Sequence, residues 1–381
     1  MIQTKSSSWI ELSAEALSSN FRFFRNRVDS RTAIYPVTKA NAYGHGLKEI
    51  SSAIESLVDG FCVHSAEEAA SIRTMKPILV LGYIPMDMAY LARLLVDKSL
   101  LFTVTNREQI DLLNQAGRAS GTTVGVFIKL ETGTNRLGVG ASEAQSLMNT
   151  CLSLPNIKLE GFSTHFANIE DTTDHSFAMK QLSAFNEFKK ELPEPDRFRY
   201  HSACSAAALL FSETHMDIVR LGISLYGYYS STETLVSYRQ LDPNPANGLK
   251  PVLSWKTRPS QIKKVAKGDF ISYGLTFRAS HPMVVAVLPV GYSDGYDRRL
   301  SNSGYVLVKG QRAPICGRVC MNMIVVDITH IDGVNTSDTV TLIGTDGDES
   351  ITADTLAAEM GSINYEVLAR LNPAIPKIWV N

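Results

Sequence analysis

Eight short runs of β-branched and apolar residues, each bounded by turn-forming residues, recur along the chain up to residue 222. They are AIYPV (33–37), GFCVH (60–64), ILVLG (78–82), LFTV (101–104), VGVFIK (124–129), LEGFST (159–164), RFRYH (197–201) and DIVRLG (217–222). Runs of this length and composition read as strands, and a strand covered on both faces stays apolar rather than alternating. Segments of helical character separate them. Three of those segments carry the pattern of a capping box, which satisfies unpaired N–H groups of the first turn: Ser65 with Glu68, Thr105 with Glu108, and Ser142 with Gln145. Strands alternating with helices imply parallel strands joined by crossovers, and eight of them make a (β/α)8, TIM-like barrel.

Beyond residue 230 the pattern changes. A turn-rich connector, LDPNPANGLKP, leads into closely spaced strand-like runs with few helical patterns: SQIKKV, PMVVAVLPV, YVLVKG, MIVVDI and TVTLIG. The 381 residues are therefore expected to divide into a barrel over 1–244 and a mostly-β domain over 245–381. The early run SSWIEL fits either domain.

Composition narrows the partners. With 44% apolar residues, 20% charged residues and a formal net charge of -1, the chain has no basic excess to attract nucleic acid or anionic lipid. Small molecules and copies of itself remain. No apolar run approaches the roughly 20 residues of a membrane helix, and MIQTKSSSWIEL lacks the order of a signal peptide, so a cytoplasmic protein is expected. Cys62, Cys151, Cys204, Cys316 and Cys320 are odd in number and mostly apolar in setting, as reduced thiols are. Cys316 and Cys320 lack a second pair or a nearby histidine, and no metal site is expected.

In such a barrel, functional residues gather where the strands end, because the loops there share one mouth. Lys39 follows the first strand, Arg136 the fifth and Ser205 the seventh; His165 ends the sixth, and Arg220 with Gly222 ends the eighth. A lysine at a strand exit beside a glycine-containing loop stands where Schiff-base lysines stand. His165 is aligned with it, whereas His45, His64 and His201 read as structural. HSACSAAALL and RLGISLYG supply a hydroxyl and backbone N–H groups for a phosphate, although Ser205 alone could equally cap the helix SAAALL. A lysine and a phosphate cradle in one mouth suggest pyridoxal phosphate.

The ordered set WIEL, VTKANAYGHG, KLETGTNRLG, THFAN, HSACSAAAL, DIVRLGISLYG, ISYGLTF, LPVGYSDGYDRR, GRVCMNMIVVDI and INYEVL resembles the alanine racemase family over most of the chain. The resemblance implies that Lys39 binds pyridoxal phosphate covalently and acts as one of two catalytic bases. Tyr273 would be the other, supplied by a partner subunit, so that a homodimer shares its active sites. It further implies that Tyr43, Ser205, Gly222, Ile223 and Tyr365 hold the cofactor phosphate and that Arg220 faces the pyridine nitrogen. His165 would lie beside the cofactor. Arg136 and Met321 would meet the amino-acid substrate, and Lys129 matches a lysine often carbamylated in the family. The implied activity is interconversion of L- and D-alanine, supplying D-alanine for peptidoglycan.

The chain departs from the family pattern at Asn322, Cys204, Leu221, Glu131 and Thr134, where aspartate, asparagine, proline, aspartate and methionine are usual. Asn322 and Thr134 keep a serine or broad-specificity racemase in view. The pattern is also compatible with a non-catalytic pyridoxal phosphate carrier and with a decarboxylase of the same two-domain plan.

Overall fold

The structure, a computed structural model, describes residues 6–244 and 248–380. It contains two compact units, one of Ser18–Ala42 with Leu47–Lys250, the other of Met1–Leu17, Tyr43–Gly46 and Pro251–Asn381. Residues 245–247, where the connector is expected to divide the domains, lie outside the described residues. The first strand, β1 (Ser8–Ser13), belongs to the second of these units, which settles the place of SSWIEL.

In the larger unit the eight expected strands are all present: β2 (Ala33–Pro36), β3 (Phe61–Ser65), β4 (Ile78–Tyr83), β5 (Leu100–Val104), β6 (Val124–Lys129), β7 (Ile157–Ser163), β8 (Arg199–His201) and β9 (Ile218–Leu221). Strands β3 to β8 pair in chain order as one parallel sheet, and β2 pairs in parallel with β9. The Val37–Cys62 bridge joins β2 to β3. At the other side, Asp217 N donates to Tyr200 O (3.1 Å) and Arg220 N to Ala203 O (3.1 Å), joining β9 to β8 and closing the barrel. Ile34, Phe102, Phe127, Phe162 and Val219 have no solvent exposure. Helices cover the outer faces, so strands such as β6 are buried along their whole length.

The helix starts depart from the expected caps in two of three places. Before helix Arg107–Ser120 the cap is Asn106, whose Oδ1 accepts from Gln109 N (2.9 Å), while Gln109 Oε1 accepts from Thr105 N (2.8 Å). The motif is thus shifted by one residue, using an amide rather than Glu108. Helix Ala141–Ser153 starts after Gly140 with no side-chain cap. Val139 is fixed there by exchanging hydrogen bonds with Lys129 and Glu131, which starts the helix before Ser142. Only Ser65 caps as expected, its Oγ accepting from Glu68 N (3.4 Å), and even there the Glu68 carboxylate does not complete the box.

The second unit is mostly β. Its strands are β10 (Leu253–Thr257), β11 (Gln261–Val265), β12 (Phe270–Ile271), β13 (Phe277–Arg278), β14 (Met283–Leu288), β15 (Tyr305–Val308), β16 (Gln311–Pro314), β17 (Ile324–Asp327), β18 (Val340–Asp346), β19 (Glu349–Ile351) and β20 (Lys377–Val380). β1 runs antiparallel to β10 and parallel to β20 within the sheet β16-β15-β18-β10-β1-β20, where β19 pairs with β18. A three-stranded sheet β11-β14-β17 and the pair β12-β13 complete it. Burial alternates along β10, with Leu253, Trp255 and Thr257 inward, as expected of a strand with one covered face.

Candidate active site

Lys39 stands at the exit of β2. Val37 N donates to Leu221 O (2.6 Å) and Thr38 N to Cys62 O (2.8 Å), so the backbone entering Lys39 is tied to strands on both sides. The next four residues, Ala40, Asn41, Ala42 and Tyr43, all have φ between 52° and 54°. A left-handed turn of residues bearing Cβ costs about 1–2 kcal/mol per residue, so it persists only where neighbours fix it. Ala42 N donates to Thr38 O (2.8 Å), Leu47 N to Asn41 Oδ1 (2.9 Å), and Ala40 N to Glu68 Oε1 (2.7 Å).

Around this turn the larger unit collects positive charge. Burial, then the Arg136 charge, lowers the Lys39 amine, against the opposing pull of Glu68 and Glu170. Lys129, buried on β6, is brought down to about 8 by burial, then by Arg220 and Arg136. Arg220 is 6% exposed and donates through Nη2 to Thr164 O (3.1 Å) and Ser202 O (3.0 Å), and through Nη1 to His201 Nδ1. Its Nη2 also lies 3.5 Å from His165 Nδ1. Burial, with Arg220 next, holds both His165 and His201 well below the ordinary imidazole range, so both are neutral. Among the described residues none of Lys39, Lys129, Arg136 and Arg220 forms an ion pair. Lys129 and Arg220 are buried and Lys39 is half-buried, with Arg136 at the exposed edge. Cations held out of water without counter-ions are costly, and this cluster is therefore suited to an anionic ligand.

Opposite chemistry stands at the exits of β8 and β9. Ser205 opens helix Ser205–Leu210, yet it does not cap that helix; its Oγ accepts from Gly222 N (2.8 Å) and Ser224 N (3.4 Å). The hydroxyl thus draws two turns together around their N–H groups. Ser224 Oγ is buried without a hydrogen-bond partner among the described residues. An orphaned hydroxyl beside such N–H groups fits a phosphate, and the cations fit the rest of an anionic cofactor.

The second unit holds the remaining residues singled out from sequence. The rings of Tyr43 and Tyr365 lie 5.9 Å apart. Beside Tyr43, a Cβ on Gly44 (φ +81°) would fall 2.0 Å from Leu368 O, so this position requires glycine. Tyr273 is 75% exposed and follows Ser272, whose φ of 68° is held by donation from its Oγ to Arg318 O (2.7 Å). Tyr273 and Met321 line a cavity of about 500 Å³ with Tyr292, Arg298, Arg318 and Asn322.

Comparison with known proteins gives this arrangement a family. A model described as "Alanine racemase, N-terminal domain" matches residues 12–230, and one described as "Alanine racemase, C-terminal domain" matches 252–379. The chain belongs to the alanine racemase family. The alanine racemase of Leptospira interrogans serovar copenhageni is 39% identical, with 98% of this chain and 96% of that protein aligned. That of Desulfovibrio desulfuricans is 35% identical over 98% of each. Among solved structures, alanine racemase from Bacillus anthracis with bound L-Ala-P is similar at a TM-score of 0.87 and 32% identity, covering 100% of this chain and 96% of that one. The Clostridium difficile 630 alanine racemase gives a TM-score of 0.89 at 28% identity, covering 99% and 97%.

Positions that depart from the alanine racemase pattern each find a local setting. Thr134 Oγ1 donates to His165 O (2.6 Å), Glu131 Oε1 accepts from Gly133 N (2.6 Å), and Asn322 Nδ2 donates to Ser293 Oγ (2.7 Å). Leu221 is fully buried on β9, and burial pushes the Cys204 thiol up to about 12, leaving it protonated. His201 and Glu68 join the site without having been singled out as functional in the sequence. His201 opens the motif HSACSAAAL but reads as structural at its strand end, and Glu68 was hidden by its resemblance to a helix cap. Tyr292, Arg298 and Arg318 lie within the motifs LPVGYSDGYDRR and GRVCMNMIVVDI.

Proposed function

We propose that this chain is a pyridoxal phosphate-dependent racemase that interconverts L- and D-alanine. The cluster of unpaired cations around a lysine of lowered pKa supports this most strongly. Lys39 would bind the cofactor covalently, and Ser205, Gly222, Ile223, Tyr43 and Tyr365 would hold its phosphate. When bound, the cofactor supplies an electron sink that acidifies the substrate Cα–H.

The chain's own groups set the proton chemistry. The lowered pKa leaves Lys39 more readily neutral, and so able to take a proton near working pH. Arg220 is a permanent donor that does not give up its proton, with neutral His201 and His165 beside it. His165 is also a cofactor-side residue in this proposal. Arg136 meets the anionic end of the substrate. Lys129, titrating near 8, is partly neutral and can take up carbon dioxide as a carbamate, whose negative charge would pair with Arg136. The domain roles follow: residues 1–244 supply all the proposed cofactor contacts except Tyr365, and 245–381 contribute to the site of a second copy. Exposed Tyr273 would act there as the second base, with Met321 against the substrate.

Among the described residues no helix is long and apolar enough to cross a membrane. We assign the enzyme to the cytoplasm, where it would supply D-alanine for peptidoglycan. Thr134 and Asn322 favour a second reading in which serine or several amino acids are substrates. Incubation with pyridoxal phosphate and L-alanine or L-serine, followed by chiral analysis, separates the two. A higher kcat/KM for alanine is expected, and a clear preference for serine would replace the alanine assignment. No D-product from any L-amino acid would leave the non-catalytic carrier.

A further inference from the structure

The Glu68 carboxylate bridges two parts of the barrel mouth. Its Oε1 accepts from Ala40 N (2.7 Å) and its Oε2 from His64 N (2.7 Å), 28 and 4 residues away in sequence. A helix-capping glutamate would instead return to the N–H of its own cap, Ser65. Here the Ser65 hydroxyl fixes Glu68 N while the carboxylate reaches outward. It thereby clamps the first residue of the left-handed turn to the end of β3. A carboxylate accepting two backbone N–H groups forms strong, directional bonds, and the turn has a steric reason to relax without them.

We propose that Glu68 is a positioning residue for Lys39, holding the left-handed turn that aims the amine and setting a negative charge beside that turn. The titratable and charged groups facing Lys39 are Glu68 and Cys62 from β3 and its helix, Arg136 and Lys129 from β6 and its loop, and Glu170 with His165 from the loop after β7. Burial and Arg136 lower Lys39, whereas Glu68 is the first of the groups opposing them. Removing its charge therefore leaves the amine easier to deprotonate. Removing one acceptor oxygen also frees an N–H at the turn. This inference rests on Lys39 being the cofactor lysine and catalytic base.

The test uses full-length Glu68→Gln, with Glu68→Ala alongside. In cofactor-free protein, trace acetylation of Lys39 by acetic anhydride is followed by mass spectrometry against pH. In cofactor-loaded protein, kcat and KM for L-alanine are measured, with thermal unfolding as the control for folding. The expected result for Glu68→Gln is a Lys39 titration displaced to lower pH, with kcat reduced about tenfold, the scale of misplacing a reacting group by a fraction of an ångström, and KM changed less than twofold. An unchanged Lys39 titration overturns the inference, whether activity is retained or falls only in step with the unfolding temperature. If Glu68→Ala does not fold, Glu68→Gln decides alone. Wild-type protein that racemises nothing while Lys39 still shifts would overturn the proposed reaction and leave the clamp standing.

Discussion

Arg220 donates through Nη1 to Nδ1 of His201, and both side chains are buried. Because guanidinium only donates, His201 must accept at Nδ1 and carry its proton at Nε2, which fixes one neutral tautomer. Although burial lowers the Arg220 pKa, guanidinium stays protonated, which keeps a positive charge at the position that the family resemblance matches to the pyridine nitrogen. Arg220→Lys would retain the charge but lose the fork that serves Thr164 O, Ser202 O and His201 together. We expect apo-protein stability to fall by about 1–3 kcal/mol through unsatisfied buried groups, with kcat/KM reduced at least tenfold. Urea unfolding and steady-state kinetics read these two effects; a change within twofold and 0.5 kcal/mol would contradict the role of the fork.

The same pair gives the fold a pH dependence. His201 in the folded chain resists protonation, while an unfolded histidine titrates near about 6.5. Below that pH the unfolded chain binds a proton that the folded chain refuses, so stability falls as pH falls, by up to about 1.4 kcal/mol per pH unit. The contribution is complete above about pH 6.5 and is lost on the way down to the lowered folded value. His201→Gln keeps an acceptor for Arg220 and should flatten the stability slope between pH 6.5 and 5. An unaltered slope in urea unfolding would show that His201 is not the group responsible.

The left-handed turn after Lys39 makes opposite predictions at neighbouring positions. Ala40→Gly removes a steric cost at an exposed residue, partly offset by the greater freedom of unfolded glycine. A stabilisation of up to about 1 kcal/mol is expected. Gly44→Ala places a methyl against Leu368 O and should destabilise by roughly 2–4 kcal/mol. Denaturant midpoints measure both, and a stabilised Gly44→Ala would refute the backbone geometry.

Tyr273→Phe removes a hydroxyl from the exposed turn between β12 and β13 without loss of a packed core contact. Its unfolding temperature should stay at the wild-type value. Removal of one of two bases should lower kcat by about 10²-fold or more, with Cα-proton abstraction from one enantiomer most directly affected. Wild-type turnover in both directions would remove Tyr273 from the reaction.

Sequence and structure agree best where burial acts locally. Each barrel strand was legible because residues such as those of Val124–Lys129 are covered on both faces and leave an unbroken apolar run. SSWIEL was not, because its place depends on register with Leu253–Thr257 and Lys377–Val380, far along the chain. Capping failed for the same reason: at Ser142 the Val139 bridge to β6 overrides the local pattern, and Glu68 is drawn to Ala40. The barrel-mouth rule brought Lys39, Arg136, His165 and Arg220 to one cluster. It carried no signal for Tyr273, which came from the ordered family motifs. Whether Ser205 capped a helix or held two turns together could not be read locally, since both uses draw on the same hydroxyl and N–H chemistry.

A racemase of this kind removes and returns the Cα proton of alanine. The most direct measurement is incubation of the pyridoxal phosphate-loaded protein with L-alanine in deuterated water, followed by chiral chromatography and mass spectrometry. D-alanine carrying deuterium at Cα is expected, progressing to equal amounts of the two enantiomers, with no product from Lys39→Ala. Retention of the Cα proton in unconverted L-alanine, or release of carbon dioxide in its place, would contradict the proposed racemisation.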